Sequence, residues 1–231
     1  MTKPFLWIDE TPTEQENDRI VKADPDLRDH LKLIYKAYDL LPVLIKHVSY
    51  RNDAELALLR LSIRLFNSAA SALKLARSGY YQPSLSMIRD VIEIQFLVQL
   101  FCRDPEELSL WESLPAKDRE KRFKPFELRK KLDLFDGFKH QQRARAYKLF
   151  CEHAAHPTPN GFEVISPAGV TQVGPFPSKE ALTACIQELA KHFPFACFLF
   201  SKQVASDDAE VLAAKASFLE TYKVWKERHY G

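Results

Sequence analysis

The sequence predicts an all-α fold, a bundle of about six to eight helices, and three observations carry that expectation. Apolar residues recur at three- and four-residue steps through most of the 231 residues, the period of an amphipathic helix. Glycine is scarce, at 6 residues, which argues against glycine-hinged sandwiches and a Rossmann core. Start and stop signals bracket the periodic stretches at helix-length intervals. Hydrophobic residues at 46% and a formal net charge of +2 describe an ordinary globular chain without an overall charge for gripping nucleic acid or membrane.

Residues 1–24 form an acidic N-terminal arm without helical periodicity, carrying Asp9, Glu10, Glu14, Glu16, Asp18 and Asp24. Within it Phe5-Leu6-Trp7-Ile8 is too apolar to stay in water and is expected to dock on the body or on a partner chain. Residues 25–231 read as a single helical domain. Asp24 caps its first helix with Pro25 at the first position, and Pro42 is expected to kink or end it. Asn52 or Asp53 caps a second helix to about Arg77, with Leu56, Leu59, Ile63, Phe66, Ala70, Leu73 and Ala76 on one stripe and Gly79 at its left-handed end. The third, about Pro83 to Phe101, is apolar on nearly every side, which marks a surrounded, central helix.

Asp104-Pro105-Glu106-Glu107 opens a fourth helix that reaches Trp111 and Leu114, and Pro115, Pro125 and Gly137 break residues 115–140 into short helices. Another runs from about Lys139 to His156, where Pro157 stops it. The stretch 157–177 is rich in proline and glycine, and Phe162–Ile165 and Val170–Val173 flank Ser166-Pro167-Ala168-Gly169. That pattern predicts a small β-hairpin near 162–173, inserted in the helical protein. Ser178 caps the next helix, which Pro194 bends or splits. A last helix starts at Ser206 or Asp207 and runs through Trp225, with Val211, Leu212, Ala216, Leu219, Tyr222 and Trp225 in register.

Cys102, Cys151, Cys185 and Cys197 are far apart and sit among apolar residues, so buried reduced thiols are expected rather than a disulfide framework. The apolar run at the start is too short for a signal peptide, and no stretch offers the roughly 18 apolar residues of a membrane span. A cytoplasmic protein without membrane attachment is the expectation. No phosphate loop, dinucleotide fingerprint, nucleophile elbow, zinc-protease helix or calcium loop is present, and no cofactor is expected.

Three features carry what chemistry remains. Arg89 and Glu93 are four apart on the central helix and share a face, either as an internal ion pair fixing helix register or as a substrate-facing polar site. Tyr147 stands upstream of His153 and His156, which face one side of a helix end. A histidine there can hydrogen-bond near the helix C-terminus, share a metal with ligands from elsewhere, or serve as acid–base on a phosphodiester beside an arginine. Residues 117–148 hold twelve Lys/Arg against five Asp/Glu, about +7, leaving about −5 for the rest of the chain. Phe123, Phe126, Phe135 and Phe138 interleave with those bases. Such a segment is either a solvated face whose phenylalanines point inward or an RNA-binding stripe.

The run Arg89-Asp-Val-Ile-Glu93 in a buried helix, followed by Tyr147-Lys-Leu-Phe-Cys-Glu-His-Ala-Ala-His156-Pro157, resembles a broad family of uncharacterised bacterial helical proteins, over roughly residues 50–200. That resemblance implies no activity. More distantly the layout is similar to HEPN domains, many of which are metal-independent RNases of toxin–antitoxin and defence systems. Their motif places arginine before histidine with four to six residues between; here Arg145 and His153 have seven between, and Lys148 and His153 have four. What the HEPN likeness implies is the bundle and a homodimer. Two functions follow: a dimerising partner- or ligand-binding protein with Arg89, Glu93 and Tyr147 in its binding network, or a HEPN-like RNase with His153 or His156 as acid–base and Arg145 or Arg143 as phosphate clamp.

Overall fold

The computed structural model describes residues 8–138, 142–152 and 158–231; the side chains of residues 142, 145, 146 and 149 also lie outside that description. Among the described residues there are ten α-helices: α1 (Thr11–Ala23), α2 (Pro25–His47), α3 (Asp53–Arg77), α4 (Tyr81–Arg103), α5 (Glu106–Ser113), α6 (Ala116–Phe123), α7 (Pro125–Phe135), α8 (Gln142–Phe150), α9 (Lys179–Gln203) and α10 (Ala209–Tyr230). The bundle is built from α2, α3, α4 and α9, with α10 laid on the outside of α2 and the short helices α5 to α8 grouped around α4.

The count exceeds six to eight partly because residues 11–23, expected as an arm without helical order, form α1. Few apolar residues mark that helix in the sequence, because polar side chains do its docking. Asn17 is fully buried; its amide donates to the carbonyls of Ala76 and Arg77 at 3.4 and 3.0 Å, and its Oδ1 accepts from Tyr81. Those carbonyls end α3; the Ala76 carbonyl also accepts from the Gly79 amide at 3.1 Å, and Asn17 adds a donor to both. Gly79 makes the close approach workable. Its φ is +84°, and a Cβ there would stand 2.6 Å from the Phe176 carbonyl oxygen and 2.6 Å from Thr13.

Three caps fall where the sequence placed them, while the last helix starts later than Ser206 or Asp207, at Ala209 with Asp208 as its cap. Asp24 accepts from the amides of Asp26 and Leu27, Asn52 from Glu55, and Ser178 from Ala181. The prolines do not end or split their helices. Both α2 and α9 run unbroken through Pro42 and Pro194. An interior proline costs roughly 3 kcal/mol, but Leu40, Leu41 and Leu44 around the first and Phe193, Ala196 and Cys197 around the second are 0–2% exposed. Burial on that scale outweighs the lost hydrogen bond.

On α3 the buried residues include Leu61, Leu65, Ala69, Ala72, Leu73 and Ala76; the expected stripe holds at Leu73 and Ala76, while Ile63 is exposed and Leu61 and Leu65 take the core side of the first half. The small residues let α4 come close, and the Ser84 hydroxyl reaches the Ala72 carbonyl at 2.8 Å. By length and composition α3 is apolar enough to cross a membrane, with a mean hydropathy of 1.2 over its most apolar window. It packs along α4 and α9, and its Arg64 pairs with Asp90.

The expected hairpin is corrected. No strand occurs among the described residues, and Pro159–Ile165 and Pro167–Gly169 form 3₁₀ turns. One backbone bond, Gln172 N–H to the Ile165 carbonyl at 3.0 Å, is all that links the two arms. Val170 and Val173 are exposed, so the alternating residues have no sheet face to bury, and a lone two-stranded ribbon gains too little without one. All four cysteines are free thiols, Cys185 and Cys197 buried and Cys102 and Cys151 partly so.

Candidate site: a tyrosine-centred polar cluster beside a basic aromatic face

The polar residues that interrupt α4 each find a partner on a different helix. Asp90 accepts from Arg64 Nε of α3 at 3.1 Å and from the Ser68 hydroxyl at 2.6 Å. Gln95 bonds His192 of α9 at 2.6 Å. Gln99 and Arg103 reach Asp136, just past α7, at 3.4 and 2.9 Å. A helix buried on several sides carries such groups at low cost when they are paired, and only the Gln99 Oε1 among these is buried without a partner among the described residues.

Arg89 and Glu93 lie at the open edge of this arrangement, with side chains 29% and 30% exposed, and they converge on Tyr147 of α8. Arg89 Nε donates to the Tyr147 hydroxyl at 2.8 Å and stands 3.0 Å from Glu93 Oε1; the hydroxyl donates in turn to Glu93. Burial, aided by the Glu93 acceptor, pushes the Tyr147 phenol well above its usual range, against the pull of Arg89. Burial drags Arg89 downward, yet the Tyr147 bond and the Glu93 charge leave it raised. The cluster therefore holds a neutral phenol and a permanent guanidinium, and it offers no phenolate nucleophile.

Arg129 of α7 completes the cluster, and nothing in the sequence marks it apart from the other bases of its segment. Its guanidinium carbon lies 4.2 Å from the centre of the Tyr147 ring, a cation–π contact. Its Nε and Nη1 are buried without a hydrogen-bond partner among the described residues. Arg143, a candidate phosphate clamp, is committed elsewhere: it donates to Asp133 at 2.6 Å and to Asp136, and its side chain is 14% exposed. The side chain of Arg145 and both His153 and His156 lie outside the described residues.

The basic segment divides into two kinds of charge. Arg122 and Lys131 close on Glu107 of α5 at 2.9–3.0 and 2.6 Å, tying α6 and α7 to the body. Lys117, Lys121 and Lys130 are exposed and make no ion pair among the described residues. Of the four phenylalanines only Phe123 points inward; Phe126, Phe135 and Phe138 are 53%, 50% and 42% exposed, and Leu134 is 75% exposed. Phe126, Lys130 and Leu134 follow one another at four-residue steps along the outer face of α7.

Other groupings lie apart from these residues. A cavity of about 510 Å³ opens at the end of the bundle between α2, α3 and α9 and is walled by leucines with His47, Arg51 and Glu55 at its rim. Beside it His47, Asp208 and Glu210 bring possible metal-ligand atoms within 4.8 Å of one another. There Lys46 already lies 2.7 Å from Glu210, and the two acids face opposite nitrogens of the ring, at 2.9 Å for Glu210 and 3.8 Å for Asp208. The grouping works as a clasp between α2 and α10. Compared with protein-family models, curated proteins and solved structures, the chain matches none of them.

Proposed function

We propose that this protein is a binding module whose basic, aromatic face on α6 and α7 holds a single-stranded polynucleotide. The observation that carries the reading is the exposure of Phe126, Phe135 and Phe138 in a segment whose Lys117, Lys121 and Lys130 meet no acid among the described residues. Water would tolerate those lysines anywhere on the surface, but three half-exposed rings in one short segment leave apolar area that an occupant can cover, beyond the Arg143 guanidinium 4.9 Å from the Phe138 ring centre. Lysines neutralise phosphates without regard to sequence, and flat rings stack on bases. The Arg89–Glu93–Tyr147–Arg129 cluster is then a brace: it fixes α7 and α8 against α4 and so holds the face in place.

The test is fluorescence anisotropy with labelled single-stranded RNA across a salt series. Binding should weaken steeply with salt, by about 0.7 in log–log slope for each phosphate neutralised. Lys117→Ala, Lys121→Ala and Lys130→Ala together should reduce that slope by about 2. Phe126→Ala with Phe138→Ala should weaken binding roughly tenfold or more at every salt concentration while leaving the slope alone. Absence of binding at low salt, or an affinity indifferent to salt, overturns the reading.

A further inference from the structure

The cavity of about 510 Å³ lies where α2 and α9 both end and α3 begins, with Val48 just past the first, Val204 just past the second and Glu55 in the first turn of the third. Its inner wall is apolar, formed by Leu41, Leu44, Leu58 and Phe200, and its volume falls in the range of about 300–1,000 Å³ that holds small organic molecules. Its mouth is made of hydrogen-bond acceptors. The carbonyls of residues 45–47 and 201–203 point along their helices towards it, and none of them accepts a backbone N–H among the described residues. The end of α3 is different, closed by the Gly79 and Tyr80 amides and by Asn17. Two helix dipoles therefore turn their negative poles on the cavity. The opposing positive pole of α3 is already met by the Asn52 cap and by Asp53 and Glu55.

The side-chain donors around the mouth are spent. Arg51 gives Nη2 and its backbone N–H to Glu55 at 2.8 and 2.7 Å, the Ser62 hydroxyl donates to the Leu59 carbonyl at 2.7 Å, and the Gln203 amide donates to Cys102 Sγ at 3.0 Å. His47 and Lys46 both face Glu210. Glu55, Asp208 and Glu210 stand there against only Lys46 and Arg51 as permanent cations. We propose that this cavity binds an alkylammonium ion, a protonated primary amine whose hydrocarbon body lies among the leucines and whose N–H groups take up the open carbonyls at the ends of α2 and α9. An ammonium is a compact cation with donors and no acceptor, which two converging helix C-termini favour. A carboxylate would meet those carbonyls with like charge, and Arg51, its natural partner, is 86% exposed and held by Glu55. The inference is independent of the polynucleotide face, which lies on α6 and α7.

Ligand-observed NMR titration of the whole chain with hexylamine, hexanol and sodium hexanoate tests it, at about pH 7, where a primary amine is protonated. The three probes share a tail and differ in the head. Hexylammonium should bind about tenfold more tightly than hexanol, and hexanoate more weakly than either. Shortening the amine to butylamine should weaken binding about fourfold for each methylene removed, as a buried tail requires. Leu59→Trp, at a half-buried position of the wall, should fill the cavity and abolish binding of amine and alcohol alike. Glu55→Gln, which frees Arg51 to face the ligand, should weaken the amine about threefold and leave hexanol unchanged. This variant and the ranking of the probes on the wild type decide the matter even if Leu59→Trp fails to fold. No binding of hexylamine at millimolar concentration overturns the proposal. So does hexanoate binding as tightly as the amine, which makes Arg51 the recognising group, and so does amine binding that a folded Leu59→Trp leaves intact, which places it on the acidic surface instead.

Discussion

On α4, Asp90 meets Arg64 and Ser68, Glu93 meets Arg89 and Tyr147, and Gln95 meets His192, whereas on α6 and α7 Lys117, Lys121 and Lys130 meet no acid among the described residues. The difference follows from water. A polar group enclosed by helices loses its hydration and must recover it from a neighbour, so matched partners on α4 report on burial and nothing more. A lysine at the rim keeps its hydration, and lack of a partner alone says equally little. What distinguishes the rim is that the rings between its lysines are also left in water. The comparison teaches that function is read from the groups whose cost is unmet, not from the groups that are most elaborately paired.

The comparison is broken most severely at Glu107, where two bases of the basic segment are matched by one buried acid. Its side chain is 6% exposed and holds Arg122 and Lys131 together. Glu107→Ala leaves two cations facing each other and should cost about 3 kcal/mol in chemical denaturation. Burial pushes the Glu107 carboxyl up, but Arg122 and Lys131 together hold it below its ordinary value. A depressed carboxyl contributes stability that is present above the unfolded carboxylate range and is lost as pH falls through the folded value. Glu107→Gln should therefore flatten the acid side of the stability profile, and an unchanged profile would show that the clamp carries no charge energy.

A smaller effect separates matching from mere presence of charge. Glu93→Ala alone strands Arg89 and the Tyr147 hydroxyl and should cost about 2 kcal/mol, while Arg89→Met, Glu93→Leu and Tyr147→Phe together should cost under about 1 kcal/mol, because removing all three polar groups removes the need for any partner. Neither change should move the salt slope of RNA binding. If the triple variant is as unstable as the single, or alters that slope, the cluster does more than brace α7 and α8.

How far the sequence shows all this depends on what each residue answers to. Helix ends such as Asn52, Ser178 and Gly79 are local chemistry and could be read directly, as could the Arg89–Glu93 pair, which sits on one helix. Its convergence with Tyr147 followed from a resemblance, not from spacing. Arg129 carried no sign, since its contact with the Tyr147 ring depends on how α7 meets α8. The sequence showed α1 only as acidic residues because Asn17 docks by hydrogen bonds to carbonyls that no pattern of apolar residues records. The alternation at 162–173 misled for the opposite reason: it was a correct local signal with no sheet to join. Leu212 and Leu219, exposed on α10, lay within a true helical period that contained two faces, and periodicity alone does not say which one meets the bundle.

His30 gives the gentlest test of the contrast between interior and rim, because its matching depends on a proton. The ring is 5% exposed between α2 and α10, its Nδ1 accepts from the Trp225 indole at 2.8 Å, and it stacks against His229 at 4.4 Å. Burial above all, then the His229 charge and more weakly that of Lys191, lowers its pKa to about 4, against the opposing pull of Asp26 and Asp29. The folded protein thus resists a proton that the unfolded chain accepts below about pH 6.5, and stability must fall as pH drops through the window between the two values. Discounted for the solvent that still reaches the site, the loss should be roughly 1 kcal/mol between about pH 7.5 and about pH 5.5. His30→Gln keeps an acceptor for the indole and has nothing to titrate, so its urea midpoint should vary less over that window by the same amount. A variant as pH-sensitive as the wild type would assign the effect to His229, which shares the stack, and would leave His30 matched at every pH like the side chains of α4.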